Sequence, residues 1–391
     1  MEEKVVIIGG GLTGLSTAYH IALTCQTRQH ACYIVVIDAA EELWDTGSGY
    51  NTGCINGAFP AGPKHELTGY SYNMLRQLSE DDEFRKYTSI QDHTVFEVTA
   101  KGEEKSPNVP GWANAGSNWK LKPQPKDGSS MMINQFGLRD WLVDRCKSFG
   151  VEIFRNTKVV GATLNDASRI QSIRFKSPSN EGEIKCQHVV FAAGAWTQRL
   201  IDELFPNSSI DLKAKTDGLS WMIIKNPDPA SQHEQVTLLL EPILDHDALE
   251  LAARNDGTIF VCNGPDARGL PGFESSGVFE PVHTSIERCR TLLHKYIKQL
   301  ADGTASLEVI KQGLSYRPTN ELDRPILAAI PKGKIVANLA EGDRVKKSGV
   351  YVNTGQAYYG ITMSMGSGKA MSDLIFDIEP EIDLRAFDLP E

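Results

Sequence analysis

An α/β protein is what the sequence predicts, with a parallel sheet and a second, α+β part that enters the chain in pieces. Three observations predict it. The stretch VVIIGGGLTGLSTAYHIA at 5–22 runs four β-branched residues into glycines and then into a helical pattern, and YIVVID at 33–38 is a second apolar strand. Strand, helix and strand on short connections make the βαβ unit of a parallel sheet. Near the other end, SGVYVNTGQAYYGITMSMGSGKAMSDLIFD reads as a strand, a Gly-rich turn and a final helix. Between them helical and strand-rich zones interleave, without repeats or low-complexity tracts, so the domains are discontinuous.

Taken in order, residues 5–8 form a buried strand, 12–25 a helix and 33–38 a strand. Residues 66–88 read as one helix, polar on one side. Residues 101–130, rich in Gly, Pro, Asn and Lys and poor in core signal, read as a functional loop or insertion. NQFGLRDWLVDRCKSFGVEIFRN at 134–156 is an amphipathic helix, a stop at Gly150 and a strand. KVVGATLN, IQSIRFK and IKCQHVVFAAG alternate like the strands of a meander. From 210 to 283 strands such as LSWMIIK and GTIFVCN mix with loops, and 284–301 is a helix.

The chain of 391 residues is long enough for two or more domains. Its composition, 41% hydrophobic and 23% charged, is that of a globular protein, and no apolar run approaches the roughly 18–20 residues of a membrane span. A net charge of −10 argues against nucleic acid as a partner but leaves room for a small anionic substrate, which answers to local charge. No signal peptide opens the chain, and seven scattered cysteines without CxxC spacing fit free thiols in a reducing compartment, so a cytoplasmic location is the expectation. The nine histidines show no metal-ligand spacing, so no metal is expected. DHDALE at 245–250 reads as a solvated acidic loop.

Four patches carry chemistry. Gly9-x-Gly11-x-x-Gly14 follows a strand and opens a helix. The first glycine makes the turn, the second lets backbone approach a pyrophosphate, and the third lets helix and strand pack closely, while the helix N-terminus offers N–H groups to phosphate. Asp38 ends the next strand, near the roughly 20-residue offset at which an acid takes ribose hydroxyls. A dinucleotide binds here. SGYNTGCINGAF at 48–59, the small residues of VVFAAGAW at 189–196 and the turn NTGQAYYGITMSMGSG at 353–368 go beyond what a simple nicotinamide domain needs. The last opens a helix whose N-terminal dipole suits a flavin locus that gains negative charge on reduction. In GLSYRPTNELDRPIL at 313–327, Arg317 precedes Pro318 and is held extended, a fork suited to capturing a carboxylate. The plain alternative is a surface arginine paired with Glu321 or Asp323. Tyr316, Tyr358 and Tyr359 offer hydroxyls or apolar walls.

With these patches in order, the sequence resembles the FAD-dependent amino-acid oxidase superfamily, which includes D-amino-acid oxidase, glycine oxidase and sarcosine oxidase. YVNTGQAYYGITMSMGSGKAMSDLI and SGYNTGCINGAFPAG are most similar to bacterial D-amino-acid dehydrogenase. The resemblance covers residues 1–80, 134–200 and 310–385 and is faint across 85–130 and 205–300. It implies a Rossmann-like FAD-binding domain of the glutathione-reductase type, assembled from 1–84, 134–204 and 313–391. A discontinuous α+β substrate domain on an antiparallel sheet would take 85–133 and 205–312. It also implies extended FAD, with ADP on Gly9 to Gly14 and Asp38 and the isoalloxazine near 51–54 and 355–362. The cofactor contacts so expected are Gly9, Gly11, Leu12, Thr13, Gly14, Asp38, Ala39, Ser48, Asn51, Thr52, Gly53, Cys54, Val159, Ala192, Gly194, Trp196, Gly355, Gly360, Ile361 and Thr362.

Gln356 stands where the dehydrogenases usually carry His, and Tyr358-Tyr359 replaces a smaller pair. Sarcosine-oxidase-like members attach flavin through a Cys in the region that reads SYRP here, so non-covalent FAD is expected, with Cys54 the thiol to check. The implied reaction oxidises the C–N bond of an amino acid or related amine by hydride transfer to flavin N5, giving an imine that hydrolyses. Arg317 would hold the carboxylate, Tyr358 and Tyr359 are the further catalytic candidates, and O2 or another acceptor takes the electrons. Alternatives are an oxidase of a secondary or N-methylated amine or specialised metabolite, and a non-catalytic FAD-binding redox or partner protein. The second Gly-rich set argues against a nicotinamide-dependent dehydrogenase. Oligomeric state has no signal in the sequence.

Overall fold

The computed structural model describes residues 2–99, 109–114, 120–125, 129–231, 234–240, 249–266, 268–272 and 280–390. The chain opens with β1 (Glu3–Ile8), α1 (Leu12–Thr27), β2 (Cys32–Ile37) and the short β3 (Cys54–Ile55). Two helices follow, α2 (Lys64–Leu78) and α3 (Asp82–Thr88), then β4 (Gln91–Thr99), β5 (Lys120–Gln124) and β6 (Ser130–Met132). Next come α4 (Gln135–Ser148), β7 (Glu152–Phe154), β8 (Lys158–Leu164), β9 (Ile170–Lys176), β10 (Glu181–Lys185), β11 (His188–Phe191) and α5 (Thr197–Leu204). The strands β12 (Ala214–Lys225), β13 (Val236–Leu240), β14 (Leu249–Ala253) and β15 (Thr258–Asn263) precede α6 (His283–Tyr296) and α7 (Lys298–Ala301). The chain closes with β16 (Val309–Asn320), β17 (Ile326–Pro331), α8 (Lys332–Ile335), α9 (Glu341–Arg344), β18 (Lys347–Thr354) and α10 (Gly360–Ile375).

Two large sheets organise these elements. One has six strands in the order β17-β18-β11-β1-β2-β7, parallel except for β17. Its strands are buried on both faces, which is why β1 and β2 read as unbroken apolar runs rather than alternating ones. Val5, Ile7 and Val36 face a core shared with α1, α4 and α10, while Val6, Ile8 and Val35 face the other side, under α5 and the β8–β9–β10 meander. The second sheet has nine strands, ordered β16-β12-β15-β14-β13-β4-β6-β3 with β5 paired to β4, and is antiparallel except where β13 meets β4. Alternation along its strands splits it cleanly. Met222, Ile224, Leu251 and Val261 pack under α6, and Leu219, Trp221, Phe260 and Cys262 face the other way. The mixed α/β class is as expected. The strand β16 runs through position 312/313, and β3 joins the nine-stranded sheet from residues 54–55.

Several local readings are corrected. The helix expected over 66–88 is two helices, because Asp81 turns extended and its carboxylate caps α3 at the Phe84 N–H, 2.8 Å away. The helix at 284–301 likewise breaks at Ile297, which is extended and buried. IKCQHVVFAAG is not one strand: Ile184 and Lys185 close the meander, and after Cys186 and Gln187 the chain enters the parallel sheet as β11. Within 101–130, residues 101–108, 115–119 and 126–128 lie outside the described residues, yet Trp112 and Leu121 are buried in the second sheet's core. Not all cysteines are free thiols. Cys25 in the last turn of α1 and Cys32 at the start of β2 form a disulfide, their Cα atoms brought to 6.3 Å by the tight return of the chain. The described residues also hold a grouping of Glu3, His30 and Cys32, whose cysteine sulfur is committed to Cys25. Among the described residues no helix is long and apolar enough to cross a membrane.

Candidate cofactor and substrate site

At the carboxyl end of β1 the chain turns at Gly9, whose φ of +107° and whose missing Cβ are both required: a methyl there would lie 2.4 Å from the Ala192 carbonyl oxygen. Gly14 is needed for packing, since a Cβ would come within 1.8 Å of the Gly9 carbonyl. Between them α1 begins at a Gly11 cap that has no side chain of its own, and while the Leu12 N–H donates to the Ser48 hydroxyl at 3.0 Å, the positive end of the helix dipole points outward. Asp38 closes β2 with its carboxylate accepting the Gly10 N–H at 2.5 Å and the Ala40 N–H at 2.8 Å. Burial pushes its pKa up, and those two backbone donors pull it back down. Each oxygen retains a lone pair for a hydroxyl. A helix N-terminus beside a half-buried acid, under a backbone that excludes Cβ atoms, fits a pyrophosphate and its ribose.

The turn opens into a cavity of about 1340 Å³ that runs from this end to the face of the nine-stranded sheet. Of the cofactor contacts expected from sequence, all but Gly14, Gly53 and Gly355 line it, and Arg317, Tyr358 and Tyr359 line its far end. The three glycines lie behind the wall for steric reasons. Gly14 abuts Gly9. Gly53 (φ +79°) and Gly355 (φ +86°) make turns in which a Cβ would meet the Ile133 carbonyl at 2.5 Å and the Asn320 side-chain amide at 2.8 Å. Gln356 is buried and donates to Asn353 Oδ1 at 2.8 Å, and Asn353 donates to Thr17 at 3.0 Å, which ties the turn before α10 to α1. Burial, aided by the Glu250 charge, pushes the Cys54 thiol up and keeps it protonated, a poor nucleophile.

Arg317 sits on β16 opposite Asp217 of β12, with 3.9 Å between guanidinium and carboxylate. Its partner is therefore neither Glu321 nor Asp323; Asp323 is taken by Lys64 at 2.7 Å. Tyr358, exposed on the outer side, lies with its ring 4.2 Å from the Arg317 guanidinium carbon. The arginine side chain is only 16% exposed, and among the described residues it donates no hydrogen bond. Such an arginine keeps most of its five donors unspent. Tyr316 also lines the cavity, with its hydroxyl donating to the Gly269 carbonyl at 2.9 Å and its ring meeting the edge of Trp196.

Sequence reasoning missed two acids at this end, Asp217 and Glu250. Residues 241–248 of the expected acidic loop lie outside the described residues, but Glu250 belongs to β14 and lines the cavity. A signal was present in LELAA: Leu249 and Leu251 alternate into the core, which sends the acid between them to the opposite face.

Fold and site together define a two-sheet enzyme with a dinucleotide-cofactor end and a small-molecule end in one cavity. The chain belongs to the family described as FAD dependent oxidoreductase, whose model matches residues 4–374. A Schizosaccharomyces pombe protein whose name provisionally calls it an oxidoreductase is 22% identical over 399 aligned positions, covering 96% of this chain and 94% of that protein. Glycine oxidase from Geobacillus kaustophilus has the same fold, with a TM-score of 0.71 at 16% identity, over 100% of this chain and 99% of that one. L-Proline dehydrogenase from P. horikoshii gives 0.72 at 15% identity, over 99% and 96%. FAD is the cofactor of the family, and the residues around Gly9 and Asp38 fit it.

Proposed function

We propose that the protein oxidises the C–N bond of an amino acid or closely related amine, with the substrate carboxylate held by Arg317. The observation that carries this reading is the Arg317 guanidinium: mostly shielded, braced by Asp217 and the Tyr358 ring, on the cavity wall and without a hydrogen bond to any of the described residues. A carboxylate takes two parallel N–H donors from such a fork, which places the rest of the substrate against the sheet face. FAD, when bound, supplies the acceptor for the hydride lost from the carbon that carries nitrogen, leaving an imine for water to hydrolyse. The protein's own part is positioning: Arg317 anchors one end, Tyr358 and Tyr359 wall the mouth, and strands β12 to β16 exclude water. Glycine oxidase, L-proline dehydrogenase and iminodiacetate oxidase among the structural neighbours support an amino-acid or amine substrate. The apolar residues Val95, Leu239 and Phe260 on the same wall favour a second reading, an N-alkylated amine whose alkyl group they would cover. We further propose the division into cofactor segments 1–84, 134–204 and 313–391 and substrate segments 85–133 and 205–312, with β3 and β16 as the strands that join the two.

The test is the visible spectrum of the FAD-loaded protein under anaerobic conditions, with a panel of D-, L- and N-methyl amino acids. Bleaching by one class supports the reading and separates its two forms. A flavin spectrum unmoved by every member removes it in favour of a non-catalytic role.

A further inference from the structure

The cavity's sheet face carries a second acidic group that the carboxylate clamp leaves unused. Cross-strand register puts Leu239 of β13, Glu250 of β14, Cys262 of β15 and Trp221 of β12 in one row. Side chains in a row share a face. Here that is the face turned away from α6 and toward the cavity. Glu250 is thus a carboxylate set into an apolar wall. Its one hydrogen bond among the described residues comes from the Cys262 thiol, at 3.7 Å to Oε2. A thiol is a weak donor, and an ionised carboxylate accepts about four hydrogen bonds. Glu250 is half-buried, and taking such a group further out of water costs free energy unless something pairs with it.

Local charge says what that partner is. Arg317 already faces Asp217, so that pair is close to neutral, and the other arginine on this face, Arg254, lies against the Phe260 ring and the Asn51 carbonyl, so among the described residues Glu250 has no cation paired with it. Arg317 still acts on Glu250 electrostatically, opposing the upward push of burial on its pKa. The two residues lie three strand steps and four residues apart in register. That is on the order of 15–20 Å between backbones on a pleated sheet. Two long side chains directed into the space leave room for a small molecule between their charged ends. A ligand bearing only a carboxylate would leave Glu250 without a cation, whereas one with a cationic nitrogen beyond its carboxylate satisfies both ends.

We propose that Glu250 is the specificity-determining residue that binds the positively charged nitrogen of the substrate, so that a zwitterion is held between Glu250 and Arg317 on one sheet face. This rests on the reading that this end of the cavity takes the substrate.

Matched ligands that cannot be turned over test it. In trimethylammonio-carboxylates with one, two or three methylenes between nitrogen and carboxylate, the quaternary nitrogen cannot form an imine. The corresponding tert-butyl carboxylates have the same shape without the charge. Calorimetric titration of the FAD-loaded protein should show, at one chain length at least, a preference of about ten-fold or more for the cation over its isostere, a difference of about 1.4 kcal/mol. Glu250→Gln should bring that ratio close to one while leaving affinity for the tert-butyl carboxylate in place. A ratio near one at every length in the unaltered protein overturns the proposal even if the variant does not fold, and so does a preference that survives in E250Q. Neither result touches the broader reading, which stands as long as amines bleach the flavin; absence of bleaching with the cation preference intact would remove the oxidation and leave the binding site.

Discussion

The two sheets do their work by opposite means. In the six-stranded parallel sheet the features that fit the cofactor are mostly backbone: Gly9, the start of α1 and the N–H groups on Asp38 come from a few residues at the ends of adjacent strands. In the nine-stranded sheet the proposed substrate groups are side chains, one per strand, with Asp217, Glu250 and Arg317 delivered from three distant segments. Backbone sites tolerate no extra atom but are indifferent to most side-chain chemistry. Side-chain sites invert this, which is how one cofactor platform accepts many substrate faces.

Substitutions that act on only one sheet sharpen the contrast. The largest effect belongs to Gly14→Ala, whose added carbon has the Gly9 carbonyl 1.8 Å away. More than about 3 kcal/mol of stability should be lost, together with FAD retention, as read by thermal unfolding and the flavin-to-protein absorbance ratio. Retention of both would mean that α1 and β1 have slack the structure does not show. Arg317→Ala should leave the flavin spectrum intact yet lower kcat/KM for carboxylated amines on the order of 100-fold, about 2.7 kcal/mol. Equal activity on amines with and without a carboxylate would remove the clamp.

Each sheet region also buries a histidine, so acid should weaken both. His20 on α1 has both ring nitrogens unpartnered, and burial lowers its pKa from 6.5 to about 3. His93 on β4, with Nε2 2.9 Å from Thr237 Oγ1, is lowered by burial to about 4. A folded-state pKa below the unfolded value means that stability is fully present above about pH 6.5. It is lost as pH falls toward 4 for His93 and 3 for His20, at about 1.4 kcal/mol per pH unit each. Chemical denaturation at pH 7 and pH 5 measures the slope; His20→Leu should flatten it by about one proton, and an unchanged slope would show that His20 is not the group titrating. The smallest effect is Asp38→Asn, which drops the charge and keeps one acceptor oxygen for the Gly10 or Ala40 N–H while turning the other into an amide donor. FAD dissociation, followed by fluorescence, should rise about ten-fold, or 1.4 kcal/mol.

Legibility followed the same divide. Gly9, Gly14 and Asp38 were readable because their spacing is dictated by one turn and one strand length. Arg317 was readable through its proline neighbour, yet its partner was not, since Asp217 is 100 residues away in sequence and adjacent only by register. Glu250 read as an acid in a surface loop because the alternation that turns it inward covers just five residues, Leu249–Ala253. Cys25 and Cys32 carried no motif; a helix end and a strand start met at the right distance.

By itself, then, the sequence determined the βαβ unit, the pyrophosphate turn, the closing strand and helix, and the arginine with its extended backbone, because each depends on contacts within a few residues. The tertiary structure alone decided which side chains share a face of the nine-stranded sheet. Pairing between strands is a long-range choice, settled by burying Trp221, Phe260 and their neighbours on one side and the α6 core on the other. That choice put Asp217 beside Arg317 and Glu250 on the same face of the sheet.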